Sequence, residues 1–196
     1  MASLTVRPAR PEDAAVLLEL FGELAEYEHL EHEMKATEEQ LRGALFGVRP
    51  AAEALIAERA PRPGVSGGAG GAGGADPGGG DLEGGDPVDG DPATEALGYA
   101  LFFPTFSSFL AGTGVWLEDL FVREEHRGEG VGRALLEAVA ARVEERGGGR
   151  LEWAALDWNE PALGFYRKIG ARTMGEWVTH RLDGEALARV AAAGRR

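Results

Sequence analysis

The chain has 196 residues, a net charge of −13 and no cysteine. Its length is enough for one domain with a proper core, or for two small ones at most. The missing cysteines exclude disulfides and thiolate metal sites, the acidic balance argues against a nucleic-acid surface, and the chain lacks the run of about eighteen apolar residues that a transmembrane helix needs.

The N-terminal third predicts one strand and two helices. The opening sequence MASLTVRPARPED lacks the basic start and the apolar run of a signal peptide, so we expect a cytoplasmic protein. A short strand is predicted at 4–7, and apolar residues at helical spacing predict a helix over 11–27. The sequence TEEQ at 37–40 is a capping box that opens a second helix running to about Phe46.

A low-complexity segment interrupts the chain. Residues 61–92 are dominated by Gly, Asp and Pro and offer almost nothing to bury, so they cannot offset their ordering entropy. Strands are predicted on either side, at 54–58 and 97–103, and both need partners. We therefore predict a single domain over 1–196, interrupted at about 60–95 by a disordered surface insert.

The second half predicts an α/β arrangement. Strands are expected at 115–122, 150–157 and 176–182, and helices at 130–145 and at about 159–169. The apolar face of the longer helix is formed by Val131, Leu135, Val139 and Val143. Two strand–helix–strand passages predict parallel pairing within a mixed sheet.

A glycine-rich loop, HRGEGVGRALLE, precedes the longer helix. Glycines let the backbone approach a ligand, and a helix N-terminus attracts anions. Arg127 adds a positive charge for a phosphate. The loop lacks the Gly-Lys-Ser/Thr ending of a Walker A motif and the glycine spacing of the dinucleotide fingerprint. A coenzyme pyrophosphate and a glycine-rich turn without a ligand remain as alternatives.

The remaining pattern resembles the acyl-coenzyme A loop of the GNAT acetyltransferases, Arg/Gln-x-x-Gly-x-Gly/Ala. The segments LEDLFV, RGEGVG and WNEPALGFY, in that order, resemble the branch of spermidine/spermine and thialysine acetyltransferases. The resemblance implies a GNAT fold: a mixed central sheet flanked by helices, with splayed parallel strands at the coenzyme. It also implies acetyl-CoA as co-substrate, a small cationic amine as acceptor, and a homodimer.

The resemblance also implies coenzyme contacts. The strand before the loop would contact the pantetheine arm through its backbone, the loop would hold the pyrophosphate, and the start of the next helix would touch the arm again. Tyr166 would contact the coenzyme and act as the general acid toward the leaving thiolate. The coenzyme-binding residues implied in this way are Leu120, Phe121, Val122, Arg127, Gly128, Glu129, Gly130, Val131, Gly132, Arg133, Asn159, Glu160, Pro161 and Ala162.

Glu118 is the candidate general base or amine anchor. Strand alternation places Trp116, Glu118 and Leu120 on one face and Leu117, Asp119 and Phe121 on the other, unless a bulge intervenes. A carboxylate facing the sheet needs a partner, which could be a cationic amine or an ordinary strand-end salt bridge. By resemblance, the residues lining the amine site are Tyr27, Glu28, Glu118, Asp119, Glu152 and Trp153.

Two departures from the branch bear on the acceptor. Gly164 stands where the branch usually has Asn. Met174 and Gly175 stand where an acidic residue is expected. A short amine is therefore at least as plausible as a long polyamine. A protein or drug amine as acceptor, and a binding module without catalysis, remain as alternatives. The four histidines show no convincing ligand spacing with acids, so no metal is expected.

Overall fold

The computed structural model describes residues 3–60 and 94–195. These residues form two compact units, one ending at Ala154 and the other starting at Ala155, and each is considered by itself. The predicted disordered insert lies almost entirely outside the described residues, and the single-domain organisation stays a prediction.

The first unit is built on a five-stranded sheet in the order β1-β2-β3-β4-β5. The first three junctions are antiparallel, and β4 pairs with β5 in parallel, so the predicted mixed α/β sheet is confirmed. The strands are β1 Leu4–Pro8, β2 Glu53–Arg59, β3 Glu95–Ser107, β4 Gly112–Val122 and β5 Leu151–Trp153.

Three helices flank this sheet: α1 Ala14–Tyr27, α2 Glu38–Phe46 and α3 Val131–Glu145. The predicted capping box at the start of α2 is present. The Thr37 hydroxyl accepts from the Gln40 N–H at 3.3 Å, and the Gln40 side chain accepts from the Thr37 N–H at 3.0 Å. Each bond satisfies a backbone donor that the first helical turn leaves unpaired.

The core lies on both faces of the sheet. Leu17 and Leu20 of α1 and Leu41 and Leu45 of α2 pack with one group of buried strand residues, Ala54, Ile56, Tyr99 and Phe121. The predicted apolar face of α3 is confirmed, because Val131, Leu135, Val139 and Val143 are all buried. Apolar burial on the two faces is the main force holding the helices to the sheet.

An ion-paired arginine ties α1 to the end of β4. The Arg123 guanidinium bonds to Glu23 at 2.7 and 3.0 Å, pairs with Glu19, and donates to the Ala96 carbonyl at 3.0 Å. This network sits at the base of the glycine-rich loop. It holds the end of the strand and the start of that loop against the helix.

The second unit contains α4 Glu160–Lys168 and α5 Gly184–Ala193. The predicted strand at 176–182 is wrong, because the described residues of this stretch are irregular. Trp177 and Val178 are both exposed, so strand-forming side chains found no partner strand to pack against. In the described residues, β4 and β5 form the one parallel pair, so the second predicted parallel pairing is not found there. The alanine-rich helix α5 was not predicted from the sequence.

Candidate active site

A β-bulge shapes β4 at the two adjacent carboxylates. Leu117 pairs with Phe102 and Asp119 pairs with Leu101, so Glu118 is an extra residue without a partner on β3. Leu101 and Phe102 are neighbours that point to opposite faces, and so do Leu117 and Asp119. This bulge is the exception that the sequence prediction left open, and it separates Leu117 from Asp119, which simple alternation places on one face. The bulge turns Asp119 toward the face that α1 and α2 cover.

Asp119 is the more buried of the two carboxylates. The Tyr99 hydroxyl on β3 lies 3.2 Å from its Oδ2. Burial raises the pKa of the Asp119 carboxyl to about 6. The bond from Tyr99 acts in the opposite direction, and the negative charges of Glu118 and Glu28 add to the rise. Asp119 can therefore gain and lose a proton near neutral pH, as an acid–base group must.

Glu118 is exposed and held by a neighbouring indole. The Trp116 Nε1–H donates to its carboxylate at 2.8 Å. In the parallel ladder Trp116 lies beside Glu152 of β5, and Glu152 forms an ion pair with Arg150 at 2.8 Å. An exposed carboxylate in a fixed position suits the capture of a cation from solvent. Glu152 is already neutralised by an arginine, so it has less charge to offer an amine.

The end of α1 brings a third carboxylate to the same place. Tyr27 is the last residue of the helix and Glu28 is its C-cap. Burial raises the pKa of Glu28. The Arg127 guanidinium lies over the Tyr27 ring, 4.4 Å from its centroid, and its Nε donates to the Val122 carbonyl at 3.1 Å. Arg127 thus contacts the end of α1 from the glycine-rich loop.

The glycine-rich loop has the backbone conformation of an anion site. Gly128 and Gly130 have φ values of 82° and 88°, in the left-handed region that favours glycine. Gly130 is also the N-cap of α3, so the free N–H groups of the first helical turn begin at Val131. The Glu129 carboxylate forms an ion pair with Arg59 of β2 at 2.6 Å. That pair fixes the loop to the sheet.

The edge of β4 is open where the coenzyme is expected. β5 pairs only with 115–117 of β4, and β4 continues for five more residues to Val122. In the part of the chain that the structure describes, no strand pairs with this outer edge at Leu120, Phe121 and Val122. An extended ligand with amide groups, such as a pantetheine arm, could add to this edge as a strand does.

The second unit holds the remaining predicted residues on α4. Asn159 is its N-cap and accepts from the Ala162 N–H at 3.3 Å, with Pro161 in the first turn. Glu160 pairs with Arg167 at 3.0 Å. The rings of Phe165 and Tyr166 are 5.4 Å apart, and Tyr166 is half-buried.

The charges of Glu28 and Glu118 both raise the pKa of Asp119, so these three carboxylates form one electrostatic group. Sequence reasoning missed two residues that hold these carboxylates, Tyr99 and Trp116. Strand alternation already placed Trp116 on the same face as Glu118, but the hydrogen bond from its indole was not predicted. Tyr99 could not, because its distance from Asp119 depends on the register of β3 against β4.

Comparisons with known proteins identify the family of the chain. The family model "Acetyltransferase (GNAT) family" matches residues 87–171. Mouse thialysine N-epsilon-acetyltransferase is 32% identical over 97% of this chain and 99% of its own length. The L-ornithine N5-acetyltransferase of Arabidopsis thaliana is 35% identical over 93% of this chain and 85% of its own length.

Solved structures share the fold. An integron cassette protein from the mobile metagenome of V. cholerae gives a TM-score of 0.67 at 22% identity, covering 97% of this chain and 99% of its own. An aminoglycoside acetyltransferase from an uncultured soil sample gives 0.61 at 19% identity, covering 93% and 98%. No helix in the described ranges is long and apolar enough to cross a membrane. The chain belongs to the GNAT family of acetyltransferases, enzymes that use acetyl-CoA as their co-substrate.

Proposed function

We propose that this enzyme transfers the acetyl group of acetyl-CoA directly to a primary amine of a small cationic metabolite. The observation that carries the proposal is the group of three carboxylates, Glu28, Glu118 and Asp119, beside the open edge of β4. Carboxylates attract and orient an ammonium group, and their position beside the coenzyme edge would align it with a thioester.

The reaction requires two protons to leave the amine nitrogen. The ammonium first gives one proton to a carboxylate, Glu118 directly or through water, because only the neutral amine attacks. The nitrogen then forms a bond to the thioester carbonyl carbon, and the carbon–sulfur bond breaks. The second proton leaves the nitrogen for solvent water after the attack, and the CoA thiolate takes a proton from a general acid, which regains one from solvent. No cysteine is present to carry a thioester intermediate, which supports direct transfer.

Acetyl-CoA would be aligned by three parts of the chain. The backbone at Leu120, Phe121 and Val122 would contact the pantetheine arm, with an N–H near the thioester oxygen where charge develops. Residues 127–133 would hold the pyrophosphate at the start of α3. The start of α4, Asn159 to Ala162, would contact the arm again, as the family resemblance implies.

Tyr166 is the proposed general acid. The motif WNEPALGFY supports this role, since the family places a tyrosine at this position to protonate the thiolate. A phenol with an ordinary pKa of about 10 is a suitable donor to a thiolate of comparable basicity.

The proposed acceptor is the side-chain amine of a thialysine-, lysine- or ornithine-like amino acid, with a polyamine as a second candidate. The names of the most similar relatives support an amino-acid side chain. Gly164 and Gly175, which depart from the polyamine branch, also favour a short amine. We further propose a homodimer, on the family resemblance alone, and a cytoplasmic location, on the sequence alone. Light scattering at twice the mass of one chain would support the dimer.

The test is release of CoA from acetyl-CoA against thialysine, lysine, ornithine, putrescine and spermidine, with wild type and Tyr166→Phe. We expect turnover on a short amine and a loss of kcat of about ten-fold or more in the variant, with the KM of acetyl-CoA unchanged. Unchanged turnover in Tyr166→Phe would remove the proposed acid. Bound acetyl-CoA without turnover on any amine would contradict the proposed acceptor class.

A further inference from the structure

Tyr99 places one polar atom inside an apolar cluster. The residue is fully buried, and its ring lies 4.8 Å from that of Phe21 and 6.1 Å from that of Phe121, measured between centroids. Phenylalanine would satisfy this packing equally well. The hydroxyl therefore needs another explanation, and its hydrogen-bond partner is Asp119 at 3.2 Å.

The direction of this hydrogen bond follows from the chemistry of the pair. Burial raises the pKa of Tyr99 well above 10, and the charge of Asp119 adds to the rise, so the phenol keeps its proton. An ionised carboxylate can only accept. Tyr99 consequently donates to Oδ2 of Asp119. An amine that approaches Asp119 would take Oδ1.

We propose that Tyr99 is a positioning residue for acetyl transfer, whose hydroxyl fixes the Asp119 carboxylate in the orientation that receives the amine. This inference rests on the proposed function, because it assumes that Asp119 meets the acceptor. It adds a residue that sequence motifs do not mark. Tyr99 lies on β3, inside the range that the family model matches but outside the motifs LEDLFV, RGEGVG and WNEPALGFY.

The bond also determines when Asp119 is ionised. The charged or titratable groups that face Asp119 are Tyr99 from β3, Glu118 from β4 and Glu28 from the end of α1. Burial and the two glutamates favour the protonated form. Tyr99 is the one member of this set that favours the carboxylate. Removing its hydroxyl should therefore raise the pKa of Asp119 above its present value of about 6.

The experiment is a profile of kcat/KM for the amine from about pH 5 to pH 9 in wild type, Tyr99→Phe and Asp119→Asn. In wild type we expect activity to fall on the acid side with a midpoint near the pKa of Asp119. In Tyr99→Phe this midpoint should move up by about one to two pH units, the effect of one hydrogen bond to a charged group. The KM of acetyl-CoA should not change. In Asp119→Asn this acid limb should disappear.

A control variant distinguishes the positioning role of the Tyr99 hydroxyl from a general loss of core packing. Ile56→Val removes one methyl group from a buried neighbour of Tyr99 in the same cluster, so it loosens core packing without touching the hydroxyl. Its acid limb should keep the wild-type midpoint. An equal shift in Ile56→Val and Tyr99→Phe would overturn the inference, because loosened packing would then explain both.

The outcomes also distinguish the inference from the function on which it rests. If Asp119→Asn loses the limb but Tyr99→Phe keeps the wild-type midpoint, the positioning role is wrong and the amine site stands. If Asp119→Asn keeps both wild-type activity and its limb, Asp119 does not meet the amine, and both proposals fall together.

Discussion

Replacing Asp119 by asparagine should stabilise the folded protein at neutral pH, although it removes a carboxylate from the proposed amine site. Asparagine has nearly the same shape, and its carbonyl can still accept from the Tyr99 hydroxyl. What disappears is a negative charge that burial and two nearby glutamates make unfavourable. Residues kept for function at a cost in stability are a common feature of active sites.

The magnitude follows from the pKa of Asp119, which is raised from 3.8 to about 6 in the folded protein. This difference is roughly two pKa units at about 1.4 kcal/mol each, or about 3 kcal/mol. A raised pKa means that the folded state holds the proton more tightly than the unfolded state. The stability that protonation provides is complete below the unfolded pKa and is lost as the pH rises through about 6. Asp119→Asn should recover up to about 3 kcal/mol above that pH and nothing well below it.

The assay is urea unfolding of wild type and Asp119→Asn at several pH values between about 4 and 8. The variant's advantage in free energy of unfolding should shrink steadily as the pH falls. Asp13→Asn is the matched control with the opposite sign. Burial alone would raise the pKa of Asp13, but the bonds from Arg7 and from the Arg10 N–H bring it below its ordinary value. That variant should lose stability at neutral pH. An advantage for Asp119→Asn that is absent or independent of pH would refute the reasoning.

Four further substitutions test the loop and the framework. Gly130→Ala forces a side chain into a φ of 88°, so it should cost about 1 kcal/mol and raise the KM of acetyl-CoA but not of the amine. Gly22→Ala, in the open middle of α1, should instead gain about 0.5–1 kcal/mol and leave both KM values unchanged. Arg123→Ala breaks the ion pairs to α1 and should lower the free energy of unfolding in urea by about 2 kcal/mol. Thr37→Ala removes a helix cap and should cost about 1 kcal/mol in the same assay.

The fold prediction succeeded for features that depend on the residues of a single helix. The capping box at Thr37 and the apolar face of α3 each depend on residues of a single helix, and both were predicted correctly. The C-terminal strand failed for the opposite reason. A strand exists only with a partner, and the composition of 176–182 does not tell whether a partner is present.

The candidate site divides in the same way. The glycine conformations at Gly128 and Gly130 follow from the residue type, and the family motif points to this loop. The position of Asp119 depends on a bulge that shifts the pairing of two strands by one residue. No short sequence pattern records such a shift, and with it the partnership between Asp119 and Tyr99 was also hidden.

The most direct test of the account is the KM of the amine in the double variant Glu28→Gln/Asp119→Asn, with the acceptor that the panel selects. The central claim is that these carboxylates bind the charge of the acceptor. Loss of charge-assisted hydrogen bonds should raise the KM of the amine by about ten-fold or more, and the KM of acetyl-CoA should stay at its wild-type value. An unchanged KM of the amine, or a rise confined to acetyl-CoA, would contradict the claim.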